Sequence, residues 1–162
     1  MSDSILPLFL GGGLTLLVTG LFYEVLCGTS RYISKVNARP RGYMYIMTVG
    51  VFVAHALSIL IYALTYWLLI SYFDFTPFAG ETNNRFIDFV YFSMTTYTSL
   101  GVGDIHPLQG LRMLTGIQTL NGLVLITWSA TFTYFSVQKM WEEHGIEPKF
   151  CCSTCNKETD KE

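Results

Sequence analysis

The sequence predicts an all-α membrane protein in which three transmembrane helices accompany a short re-entrant helix and a glycine-containing loop. Three observations carry that expectation. Of 162 residues, 51% are hydrophobic and only 14% charged, against the roughly 25% charged usual in soluble domains. The charges are also segregated: residues 43–73 form a run of 31 without Asp, Glu, Lys or Arg, and residues 113–138 a run of 26. Crossing the hydrocarbon core takes about 20 helical residues, so either run suffices. Between them, residues 83–107 are too apolar for a surface loop yet too polar and glycine-interrupted at one end for a span.

The first element is residues 5–27, with Glu24 as its single charge, close to one end where water or headgroups can solvate it. A secretory signal is the competing reading, but residues 1–4 contain Asp3 and no basic residue, unlike a signal's n-region. Gly11, Gly12 and Gly13 weaken helix propensity there; in a membrane, small residues either let a second helix approach closely or are simply tolerated. Residues 28–43 follow as a basic loop holding Arg31, Lys35, Arg39 and Arg41 without an acid. Such a bias marks the cytoplasmic side, which would put the N-terminus outside. Glu24 can pair with Arg31 or Lys35 or reach the interface alone.

The second span then runs outward. The segment after it carries Asp74, Glu81, Asp88 and Asp104 against Arg85 and Arg112. Within it, a helix of about 84–97 is expected, with Thr82, Asn83 or Asn84 as N-cap. Thr95, Thr96, Thr98 and Ser99 crowd its end, and Gly101 and Gly103 break it. Non-helical backbone at membrane depth is tolerated only where protein or a water-filled path satisfies it, which makes this segment a re-entrant, pore-lining candidate. The third span returns inward. Residues 44–140 thus form one pore unit, residues 1–27 an added helix, and residues 141–162 a polar cytoplasmic tail.

The stretch Thr95-Thr96-Tyr97-Thr98-Ser99-Leu100-Gly101-Val102-Gly103-Asp104 resembles the pore signature of the potassium-channel superfamily, whose common form is Thr-Val-Gly-Tyr-Gly-Asp after a threonine-rich helix. The likeness covers roughly residues 44–140 and is greatest to the small two-helix ion-channel domain, here with an extra N-terminal span. It implies a homotetramer in the cell membrane with a selectivity filter at Thr98, Ser99, Leu100, Gly101, Val102 and Gly103, conducting K+ passively and needing no cofactor. The chemistry agrees. A dehydrated cation needs replacement oxygens, and the carbonyls of Ser99 to Val102 with the Ser99 hydroxyl can supply them when several copies surround one axis. Leu100 and Val102 would pack behind the filter, Asp104 would concentrate cations at the outer mouth, and the negative end of the short helix's dipole would favour a cation in the inner cavity.

Three departures from the family form, Ser99 for Thr, Leu100 for Val and Val102 for Tyr, leave a weakly selective monovalent cation pore as the alternative, and a non-conducting regulatory subunit as another. Gly122, midway along the last span, reads as a hinge or as a close helix contact, the contact being preferred. His55 is an ionisable group within a span; a neutral imidazole bonded to a Ser or Thr is the preferred reading. Cys152-x-x-Cys155 reads as half a zinc site, which His144 or Cys151 would extend, or as part of a palmitoylation cluster with Cys151, or as a set of ordinary thiols, the last being preferred. No span carries the repeated basic residues of a voltage sensor. A net charge of −2 without a basic face argues against nucleic acid. His55, Asp88 and His106 form no nucleophile–base motif, so an enzyme is not expected. The sequence identifies no auxiliary subunit.

Overall fold

The computed structural model describes residues 2–36, 40–72, 78–80, 85–108 and 111–143. Its order is α1 (Ser2–Val36), α2 (Pro40–Tyr72), β1 (Ala79–Gly80), α3 (Phe86–Tyr97), β2 (Ile105–His106) and α4 (Leu111–Glu143). The architecture is all-α, and α1, α2 and α4 are each long and apolar enough to cross a membrane. At a rise of about 1.5 Å per residue each is about 50 Å long, against a hydrocarbon core of about 30 Å, so their ends project into the interface or beyond.

The expected loop at 28–43 is therefore mostly helix, because α1 continues to Val36 and α2 begins at Pro40. Lacking glycine or proline between Thr29 and Val36, the chain has no reason to break, and proline at a helix's first position is already set for helical φ. The last span likewise extends through Glu143 into the expected tail. Arg39, Asp74, Glu81, Thr82, Asn83, Asn84, His144, Cys151, Cys152 and Cys155 lie outside the described residues, as does the side chain of Arg41.

α1 packs along both α2 and α4. Gly50 of α2 faces Thr29 so closely that a Cβ would overlap its side chain, and a Cβ on Gly11 would press on Ile117 of α4 at 2.7 Å. Gly12 and Gly13 meet nothing within 4 Å. Close approach within the chain thus accounts for Gly11 of the triplet, and no contact among the described residues requires a glycine at the other two.

α3 sits on α2 through an aromatic cluster. Phe78 lies 4.3 Å from Phe92 and 5.7 Å from Tyr66 between ring centroids, and Tyr66 and Phe92 meet edge to face at 5.3 Å. Tilted and edge contacts of this kind suit the ring quadrupole. Behind them Gln118 of α4, 0% exposed, receives the Tyr66 hydroxyl at 2.7 Å and donates to the carbonyl and hydroxyl of Ser93 at 3.0 and 2.9 Å. Ser93 in turn donates to the Ile59 carbonyl. One amide therefore ties α2, α3 and α4 together. Among the described residues no buried side-chain nitrogen or oxygen lacks a partner, as a low-dielectric interior demands.

Candidate functional site

The site starts where α3 starts. Arg85, not Thr82, Asn83 or Asn84, precedes the first helical residue, and its backbone N–H donates to Asp88 Oδ2 at 3.2 Å. Asp88 thus occupies the first turn, where a negative charge complements the helix dipole. The helix ends at Tyr97, and its last-turn carbonyls are taken up by the chain that folds back on them. Thr98 N–H donates to the Met94 carbonyl at 3.1 Å and Ser99 N–H to Thr96 at 3.0 Å; Leu100 and Gly101 N–H share the Thr95 carbonyl at 2.8 and 3.2 Å. The first part of the loop is thereby tied to the helix end by its amides.

Its carbonyls remain. Ser99, Gly101 and Gly103 have positive φ, at 57°, 55° and 88°, and Leu100 and Val102 between them do not. In an ordinary strand successive carbonyls alternate in direction. Reversing the sign of φ at every second residue is a backbone pattern that allows successive carbonyls to gather on one side and amides on the other. Among the described residues no donor reaches the carbonyls of Ser99, Leu100, Gly101 or Val102. A short backbone row of acceptors without protein donors suits a partly dehydrated cation. Positive φ was expected at the two glycines; at Ser99 it was not, because nothing in a serine's identity announces it. The absence of β-branching there is consistent with the conformation, which a β-branched residue adopts with more strain.

The two legs of the re-entrant hairpin are joined at the end away from the Tyr97 turn by an antiparallel ladder, Ala79 with His106 and Gly80 with Ile105. Gly80 has φ of 118°, and a Cβ there would overlap the Asp104 carbonyl oxygen. Two-residue strands carry no periodicity, so only the glycine hinted at this clamp. Asp104 accepts the Ile105 N–H at 2.8 Å and interacts with the Tyr91 hydroxyl of α3. Asp104 is exposed and directly follows Gly103 at the end of the loop.

Leu100 and Val102 are 70% and 55% exposed. The packing expected behind the filter is therefore not supplied by this chain. An open groove of about 340 Å³ beside the loop, bordered by Thr95, Ser99, Gly103, Thr115 and Thr119, is equally uncovered.

Gly122 lies at a close contact. A Cβ there would overlap the Tyr97 carbonyl oxygen, and α4 runs unbroken through it. Asn121 beside it donates to the Tyr62 hydroxyl at 3.0 Å and accepts from Thr19 of α1 at 3.3 Å, so Asn121 is a packing group. His55 bonds Ser129 at 3.1 Å and Tyr97 at 2.9 Å. Ser129 already donates to the Ile126 carbonyl; its oxygen must accept from Nε2–H, which leaves Nδ1 to accept from the Tyr97 hydroxyl. The bond to a serine is the one expected from the sequence, with a tyrosine added. Among the described residues no group of His, Cys, Asp and Glu is arranged to hold a metal ion.

A family model described as an ion channel matches residues 54–138, just over half of the chain. No curated protein and no solved structure matches it. The matched region begins within α2, contains the whole hairpin with its row of carbonyls and ends within α4, leaving α1 outside. The chain therefore belongs to the ion channel family, as a member with the two-transmembrane, potassium-channel-type pore domain.

Proposed function

We propose that four copies of this chain form a K+-selective channel whose filter is the backbone of Thr98 to Gly103. The observation that carries this reading is the alternation of φ at Ser99, Gly101 and Gly103, with carbonyls that no donor among the described residues occupies. One such row cannot surround an ion; copies about a symmetry axis complete the ring. The exposure of Leu100 and Val102 and the open groove beside them support this, since a neighbouring copy is what would cover both. Asp104 raises cation concentration at the mouth. The basic residues at the α1–α2 junction favour a cytoplasmic position for that end and for the C-terminus, and the cell membrane is the setting in which such a channel would work.

A second reading has its own observation. Val102 has no hydroxyl with which to brace the filter from behind and is itself uncovered, which favours a weakly selective cation pore. Flux of the purified protein in liposomes decides. Selective K+ flux over Na+ supports the first reading, and equal flux supports the second, in which case Val102→Tyr should sharpen selectivity. No flux of either ion would refute both and leave a non-conducting membrane subunit.

A further inference from the structure

The last residue of α3 is held more firmly than its place beside a loop requires. Tyr97 is 1% exposed. Its carbonyl lies against Gly122 of α4, closer than any side chain would permit. Its hydroxyl is bonded to His55 Nδ1 at 2.9 Å, and the far nitrogen of the same imidazole is bonded to Ser129 of α4 at 3.1 Å. Gly122 and Ser129 are seven positions apart, two turns of one helix face. From α1, the Phe22 ring covers His55 at 4.9 Å and Trp128 at 6.4 Å. That shields the bonds from lipid and headgroup competitors and strengthens them.

We infer that His55 is a positioning residue of the filter: by bridging Tyr97 to Ser129 it fixes the end of α3 relative to α4, and so the inner end of the carbonyl row. The inference rests on the channel reading above. Only Thr98 separates Tyr97 from Ser99, whose φ of 57° is the conformation a non-glycine residue would leave first. Thr98 and Ser99 amides are bonded to Met94 and Thr96 on either side of Thr95, so a rotation of α3's last turn is carried directly into the row. His55 contacts no permeant ion and acts only through Tyr97. The connection also assigns α1 a part, since its Phe22 ring packs on the imidazole at 4.9 Å.

The test uses the full chain in liposomes, with Tyr97→Phe, which removes only the hydroxyl, His55→Leu, and the double variant. The measurements are the K+/Na+ permeability ratio and the thermal midpoint of the assembled protein. Each single variant should lower the ratio between about twofold and tenfold, the range for one hydrogen bond, and the double variant should be no worse than the more severe single, because both remove the same link. His55→Gln, with a donor and an acceptor on one side chain, should recover part of the ratio. Additive losses, or a lowered thermal midpoint with an unchanged ratio, would overturn the inference and leave His55 a packing residue. Wild-type liposomes that pass no cation would instead remove the channel reading and the inference with it.

Discussion

Gly101→Ala tests the carbonyl row most directly. An added Cβ at Gly101 meets nothing among the described residues within 4 Å, so within one chain the effect comes from φ of 55°. Holding an L-residue there costs roughly 1–2 kcal/mol, a factor of about 5–30 in the population of the native loop for each chain. Four chains around one axis would face about 4–8 kcal/mol if the strains simply add. The cheaper escape is a return to negative φ, which turns a carbonyl out of the row and removes one ring of oxygens. The helices, held by the Gln118 and aromatic contacts, have no reason to change. Liposome flux of K+ should be abolished or strongly reduced while assembly, judged by size-exclusion chromatography, is retained. With equal amounts of variant and wild-type chains mixing at random, and one defective copy sufficient to block, about one-sixteenth of the flux should survive. Flux near one half, or unimpaired flux from the variant alone, would refute the argument that this loop completes a four-fold filter. Gly12→Ala is the matched control: it is helical with open space around it, so conduction should be unchanged and stability equal or up to about 1 kcal/mol higher.

Gly122→Ala should push α4 away from the end of α3, lowering the thermal midpoint and altering flux, whereas Gly116→Ala, with nothing within 4 Å, should do neither. A Gly122→Ala protein with normal stability and flux would contradict the close contact. Gln118→Leu removes the bonds of the amide to the Tyr66 hydroxyl and to Ser93 and leaves Tyr66 only its longer 3.4 Å bond to Thr115, and should destabilise the protein by about 0.5–1.5 kcal/mol for each lost bond; denaturation in detergent reads this, and no loss would show that lipid or water replaces the amide. For sidedness, a cysteine at residue 2 should react with an impermeant reagent applied outside and one at residue 37 should not; the opposite pattern would reverse the orientation argued from Arg31, Lys35, Arg39 and Arg41.

By itself the sequence determined the number and approximate placement of the spans, the re-entrant segment and the residues of the loop. All of these rest on local quantities: runs without charge, glycine where φ must be positive, and a Thr/Ser cluster ending an apolar helix. It also indicated that His55 would be bonded to a hydroxyl, and that Gly122 would be a contact, though not to what. The helix ends were less legible, because the basic residues at 31–41 mark a membrane side and not a break; Val36 and Pro40 bound a much shorter junction than the charge pattern implied. The two-residue ladder between β1 and β2, the positive φ of Ser99, the three-helix tie through Gln118 and the bridge from Tyr97 through His55 to Ser129 were decided only by tertiary structure. Each joins residues at least 25 positions apart, or, at Ser99, imposes on a serine a conformation it does not prefer alone. Propensity and periodicity act over a few residues; which hydroxyl finds which amide depends on how the helices lie against one another.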